Sequence, residues 1–202
     1  MVFRDHPKLK DKDHAYTERV QLSGLCYMHA PVVLQHYLVA MQNEVRMPSL
    51  DMALYMRRYP SADELENHIW DNIGGSSSGF AESILLKGTE FLYFGPDKDF
   101  LPDGAIESSL ELYGPALVAY FRVDEDFCDK DMLRHIGPRD KKQVLGKHAM
   151  LLVGHRQESD KKLLLLQNWW RSKQFIEVDA EYLESTRTIL YFVKTPQHAI
   201  PN

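Results

Sequence analysis

Cysteine is scarce in this chain. Its 202 residues contain only two, at positions 26 and 128, so at most one disulfide can form. That excludes the small secreted scaffolds that depend on a disulfide framework, and nothing in the sequence demands an oxidising compartment. We therefore expect a cytoplasmic protein, or one that is delivered into a host cytosol.

The chain also lacks an excess of basic charge and any long apolar run. Its 24 Lys and Arg against 29 Asp and Glu give a formal net charge of -5, which argues against nucleic acid as the main partner. The longest apolar runs, such as 30–34 and 163–166, are too short to cross a bilayer. Residues 1–20 are strongly charged and lack the apolar core of a signal peptide, so we expect neither a membrane span nor a signal peptide.

Hydrophobic periodicity divides the chain into a mainly helical first part and a mainly β second part. The patterns predict helices over 26–44, 50–58, 61–70, 80–87 and 105–113, and strands over 91–94, 116–123, 148–155, 162–168, 175–178 and 188–194. The Gly- and Ser-rich stretch 71–79 predicts a linker, and the charged stretch 124–142 predicts an irregular surface crossing. We expect one α+β domain over 1–202, with a helical lobe at about 20–100, a β lobe at about 105–195 and a cleft between them.

Cys26 is the candidate nucleophile. It follows a Ser-Gly turn signal at positions 23 and 24 and opens the first helical pattern. Unpaired backbone N–H groups at a helix N-terminus favour negative charge, which predicts a lowered pKa for this thiol. The competing interpretation is a buried, inert thiol, because free cysteine is among the most buried residue types.

His148 and Asn168 belong to two consecutive predicted strands. His148 starts the first strand and Asn168 ends the second, so the two side chains meet if these strands form a hairpin. The amide oxygen of Asn168 can then accept from one imidazole nitrogen and leave the other nitrogen facing Cys26. We expect Trp170 to cover this hydrogen bond and keep water away from it.

With these residues in place, the sequence resembles the papain family of cysteine peptidases. Residues 23–27 (Ser-Gly-Leu-Cys-Tyr) resemble the family's Cys-Gly-Ser/Ala-Cys-Trp/Tyr signature and share its Gly, second Cys and Tyr. Residues 148–154 resemble its histidine block, and residues 167–170 its asparagine block. Two weaker matches lie between them in the family's order: 72–75 resembles the segment that lines the substrate groove, and 113–119 the strand that opens the second lobe. The resemblance covers about residues 18–194.

This resemblance implies a papain-like two-lobe fold and thiol-dependent hydrolysis of peptide bonds. Cys26 would be the nucleophile, His148 the base and acid, Asn168 the residue that orients His148, and Gln21 a side-chain donor of the oxyanion hole. The implied partners are an extended polypeptide substrate and a protein inhibitor or pro-segment, with no cofactor and no metal. The implied substrate-binding residues are Gly74, Gly75, Ser76, Ser77, Ala149 and Trp170.

Several positions depart from the family pattern. Leu25 and Tyr27 replace a small residue and the usual Trp, Pro31 is foreign to that helix, and Gln21 lies one residue closer to the cysteine than the family spacing. These departures predict a specialised or distant member. They leave two alternatives open, a papain-fold acyltransferase, transamidase or isopeptidase with the same triad, and a catalytically inactive papain-like binding protein.

The other candidate groups are predicted to have ordinary roles. Cys26 and His29 have the spacing of a metal-ligand pair, but no second pair follows, so we expect His29 to be solvated or to face the groove. His36 falls on the apolar side of the same helix and is predicted to be packed. Cys128 is flanked by acidic residues, which predicts a raised pKa and low reactivity.

Overall fold

The computed structural model describes residues 26–43, 75–84, 90–96, 104–139, 143–170 and 173–194. These residues form five helices and seven strands. In chain order the elements are α1 (Cys26–Asn43), α2 (Ser77–Ile84), β1 (Glu90–Phe94), α3 (Ala105–Tyr113), β2 (Ala116–Val123), α4 (Glu125–Cys128), β3 (Arg134–His135), β4 (Gly146–Glu158), β5 (Lys161–Trp170), β6 (Lys173–Asp179), α5 (Ala180–Ser185) and β7 (Ile189–Lys194).

The strands form one seven-stranded sheet in the order β1-β7-β2-β4-β5-β6-β3. Its pairings are antiparallel except for the short parallel contact between β3 and β6. The longest strands, β4 and β5, form a hairpin in which Leu151 lies opposite Gln167. Their near-continuous apolar runs suit central strands that are covered on both faces.

Two hydrophobic clusters lie on opposite faces of this sheet, because successive side chains of a strand alternate in direction. On one face, which we call the α1 face, Leu117 and Leu151 pack against Leu34 and Tyr37 of helix α1. On the other, which we call the α3 face, strand residues such as Met150 pack with helices α3, α4 and α5. A residue's position along β4 therefore decides which helices it meets.

Helix α1 continues through Pro31, which lies in its second turn. A proline there removes one backbone hydrogen bond, but the helix is apolar and buried along most of its described length, so tertiary packing holds it in place. Of the helices in the described ranges, none combines the length and apolarity needed to cross a bilayer.

Most of the predicted elements in the described residues are confirmed within two or three positions. The predicted linker 71–79 is wrong in its last three residues, which belong to α2. The reason is that Ser76 caps this helix: its hydroxyl accepts from the backbone N–H of Gly79 at 3.2 Å. The irregular crossing 124–142 likewise contains helix α4, which begins where Asp124 accepts from the N–H of Phe127 at 2.9 Å. The predicted helices 50–58 and 61–70, and the end of 80–87, lie outside the described residues.

Candidate active site

Cys26 is the first residue of helix α1 and is partly buried. The backbone N–H groups of Ala149, Tyr27 and Cys26 itself face the sulfur and favour the thiolate. Burial of the sulfur outweighs them, so the pKa of the Cys26 thiol is raised above its ordinary value. The lowered pKa predicted from the helix N-terminus is therefore wrong for this thiol, because that argument ignored the solvation that the sulfur loses to tertiary packing.

Trp169 ties helix α1 to strand β4 next to this sulfur. Its indole N–H donates to the backbone carbonyl of Ala149 at 2.9 Å, and its ring lies 4.7 Å from the ring of His29. Trp169 is fully buried, and His29 is only 2% exposed. The prediction that His29 is solvated or faces the groove is thus wrong, whereas the prediction that His36 is packed is confirmed. Sequence reasoning missed Trp169, although a second Trp beside Asn168 was a signal for it.

His148 and Asn168 meet at the open end of the β4–β5 hairpin, as their positions predict. Nε2 of the imidazole lies 2.7 Å from Oδ1 of the amide, and both side chains are buried. The amide orientation is determined by two further bonds: its NH2 group donates to the carbonyl of Lys173, and its oxygen accepts from the N–H of Trp169, both at 2.8 Å. Oδ1 therefore accepts from His148, so Nε2 carries the proton and Nδ1 is the basic nitrogen of the neutral ring.

The ring of Trp170 lies 4.9 Å from the ring of His148. Its other neighbour, Phe127, is at 5.5 Å and belongs to the cluster on the α3 face. The imidazole of His148 is buried, and this burial lowers its pKa to about 4. The hydrogen bond to Asn168 offsets part of the effect. The imidazole is thus neutral above about pH 4 and can accept a proton at Nδ1.

The remaining predicted site residues differ in how accessible they are. Gly75 and Ser76 are exposed, whereas Ser77 and Ala149 are buried and offer a substrate little side-chain surface. Gln21 and Gly74 lie outside the described residues. Over the described ranges, no three or more His, Cys, Asp and Glu side chains are grouped in a way that could hold a metal ion.

Gly75 lies against the ring of Tyr27, the residue that follows Cys26. A Cβ added to Gly75 would overlap three ring atoms of Tyr27, including Cζ at 2.7 Å. Because Tyr27 is itself buried, its ring cannot simply rotate away. The glycine is thus required by the close approach of this segment to the N-terminus of α1.

We expect Gly75→Ala to destabilise the protein by about 1–3 kcal/mol, the usual cost of overpacking, and to lower any activity that depends on Cys26. Chemical denaturation measures the first effect. Gly79→Ala is the matched control, since its added Cβ meets only the Ser76 side chain, with the hydroxyl at 3.3 Å, and alanine favours the helix. Equal stability of the two variants would contradict the role assigned to Gly75.

Comparison with solved structures finds a similar fold, although no protein-family model matches the sequence and no curated protein is significantly similar to it. A chain from a study of the mite allergens Blo t 1 and Der p 1 is 12% identical with a TM-score of 0.64, over 96% of this chain and 70% of its own. Procathepsin B S9 from Trypanosoma congolense is 11% identical with a TM-score of 0.66, over 96% and 77%. Bromelain protease from Ananas comosus, solved with the E64 inhibitor, is 13% identical with a TM-score of 0.53, over 97% and 98%.

Proposed function

The chain has the papain-like α+β fold, and from this premise we propose that it is a divergent member of the papain family that hydrolyses peptide bonds through its Cys26 thiol. The observation that carries the proposal is the hydrogen-bond network at Asn168. These hydrogen bonds hold His148 with Nδ1 as its basic nitrogen. A basic nitrogen in this position can accept the proton of a neighbouring thiol.

The position of Cys26 supports the same pairing. Its sulfur faces the backbone N–H of Ala149, the residue directly after His148 on strand β4. The imidazole of His148 is hydrogen-bonded to Asn168, and no hydrogen bond of the described residues joins it to Cys26. The proposed mechanism therefore requires the sulfur to come within hydrogen-bond reach of Nδ1 during the reaction.

In the first half-reaction, the Cys26 thiol gives its proton to Nδ1 of His148 and the sulfur attacks the peptide carbonyl. The backbone N–H of Cys26 and the side chain of Gln21 would stabilise the tetrahedral oxyanion, and losing one such donor costs roughly 10²–10³ in rate. The His148 imidazolium then protonates the leaving amine. Water, activated by the neutral imidazole, hydrolyses the thioester and restores the thiol.

Burial disfavours a charge on either group alone, since it raises the pKa of Cys26 and lowers that of His148. Proton transfer from one to the other forms two opposite charges at once, and their attraction is strong where water is excluded. The proposed reactive species is therefore the thiolate–imidazolium pair, which titrates as a unit.

The burial of the Cys26 thiol equally supports a second candidate, a catalytically inactive papain-like binding protein. In that case the proton stays on the sulfur and the chain binds a polypeptide without cutting it. The acyltransferase, transamidase or isopeptidase alternative uses the same triad and differs only in whether an amine or water accepts the acyl group.

A mixture of unrelated peptides, analysed by mass spectrometry after incubation with the protein, separates the three functions. For a hydrolase we expect new free carboxyl termini whether or not a primary amine such as glycinamide is added. An acyltransferase or transamidase would give mainly amine-capped products when the amine is present. Intact peptides in both reactions, with the folded state verified by circular dichroism, would contradict peptide hydrolysis and favour the binding protein.

A further inference from the structure

A pocket of about 340 Å³ lies at the start of strand β4 and is lined by three cations. Arg122, Lys147 and Arg187 form its basic part, and the other lining residues are Pro96, Tyr120 and Ile189. No acidic side chain lines it, and no acidic side chain of the described residues pairs with any of the three cations.

Two of these cations are placed against each other by the sheet itself. Arg122 of β2 lies directly opposite Lys147 of β4, so their side chains share one face of the antiparallel pair. Like charges in that relation are destabilising. An anionic ligand would relieve this repulsion, since no counter-ion among the described residues does so.

The backbone around the pocket is strained at two positions. Tyr120 has φ 62° and Arg187 has φ 54°, and both are bulky residues in the left-handed region. Tyr120 lies in the irregularity of β2 where the register with β4 shifts between Val118 and Phe121. Strain of this kind persists where the surrounding structure enforces it, and it concentrates at binding sites.

The pocket lies on the α1 face of the sheet, which Cys26 also meets. Tyr120 packs against the hydrophobic cluster of the α1 face, as Cys26 does, and its hydroxyl is hydrogen-bonded by Ser76 and Ser78 at the start of α2. Lys147 lies two residues before Ala149 on β4, so it points to the same face about 7 Å along the strand. A polypeptide at Cys26 that extends along the start of β4 would therefore meet these cations.

We propose that Arg122, Lys147 and Arg187 bind a carboxylate of the polypeptide substrate and so select acidic substrates. This inference rests on the proposed function in that it takes the ligand to be a polypeptide. The carboxylate belongs to an Asp or Glu side chain or to the C-terminus, and both present the same chemistry to the guanidinium groups. Pro96, Tyr120 and Ile189 provide apolar walls for the carbons that carry it.

Binding to the Cys26→Ala protein tests the pocket independently of catalysis. The probes are fluorescent peptides of one sequence, scanned with Glu, Gln or Lys at each position, with free or amidated C-termini. We expect Glu at one position, or the free C-terminus, to bind about fivefold more tightly per cation contacted, and this preference to weaken as salt screens it. A Glu-specific gain identifies a side-chain carboxylate, and a gain confined to the free acids identifies the C-terminus.

Arg122→Gln and Lys147→Gln should each lower the acidic preference about fivefold, and the triple variant that also carries Arg187→Gln should remove it. Lys130→Gln, which removes an exposed cation elsewhere, should leave the preference unchanged. Because each pocket variant relieves a like-charge contact, its Tm should be equal to or above that of the parent.

The proposal is overturned if no acidic probe binds more tightly than its neutral counterpart, or if the preference survives in the triple variant. If acidic peptides bind through the pocket but the wild-type protein cuts none of them, the pocket stands and peptide hydrolysis fails. If peptides are cut without regard to their charge, hydrolysis stands and the pocket fails.

Discussion

Cys26→Ala is expected to abolish peptide cleavage, with a loss of roughly 10⁶-fold if the thiol is the nucleophile of an acyl-enzyme mechanism. The variant removes a partly buried sulfur at the first residue of α1, where alanine is well tolerated, so the fold should survive. Cys128→Ala is the matched control, because it removes the other free cysteine, which is exposed and on α4. Cleavage of a fluorogenic peptide, assayed for all three proteins, measures the effect.

Alkylation at low pH gives a second, independent readout of the same residue. Burial raises the pKa of Cys26, and partial loss of solvation together with the nearby Asp124 and Glu125 raises that of Cys128. Well under about 1% of an ordinary thiol is ionised at pH 6. Rapid alkylation of Cys26 by iodoacetamide at pH 6 therefore requires that His148 accept its proton. We expect Cys26 to react far faster than Cys128, with the modified residue mapped by mass spectrometry. Equal labelling of the two thiols would contradict the proposed pairing.

The hairpin that brings His148 and Asn168 together could be predicted from the sequence alone. Two long apolar runs separated by a short polar stretch define antiparallel strands, and the residue spacing then places both polar side chains at the same end. The buried helix that starts at Cys26 could also be predicted from the sequence, since its apolar residues continue around the whole helix. In these places the local pattern and the tertiary structure impose the same arrangement.

The electrostatics of the site could not be predicted in this way. The raised pKa of Cys26 depends on how closely β4 and Trp169 cover the sulfur, which no local pattern records. The orientation of the Asn168 amide depends on the carbonyl of Lys173, a residue of the next strand. The basic pocket depends on an irregularity in β2, and nothing in the alternating pattern of that strand predicts where its register shifts.

His148→Gln is expected to lower kcat/KM by roughly 10³-fold or more, because it removes the group that takes the thiol proton and later protonates the leaving amine. Glutamine can still donate to the amide oxygen of Asn168, so the buried network loses little. His155→Gln, at the other end of the same strand, is the control and should keep full activity. The iodoacetamide reaction of Cys26 at pH 6 should slow in His148→Gln and stay unchanged in His155→Gln.

The pH dependence of the wild-type protein distinguishes this role from a merely structural one. Because the pKa of His148 is lowered to about 4, kcat/KM should rise as the pH passes about 4. The same shift affects stability: the unfolded histidine, with a pKa of about 6.5, binds more protons than the folded one, so the free energy of unfolding falls as the pH drops from about 6.5 to 4. Circular dichroism at each pH, and recovery of activity on return to pH 7, separate the protonation of His148 from unfolding. An acidic limb near pH 6.5 in protein that stays folded would contradict catalysis by a buried imidazole.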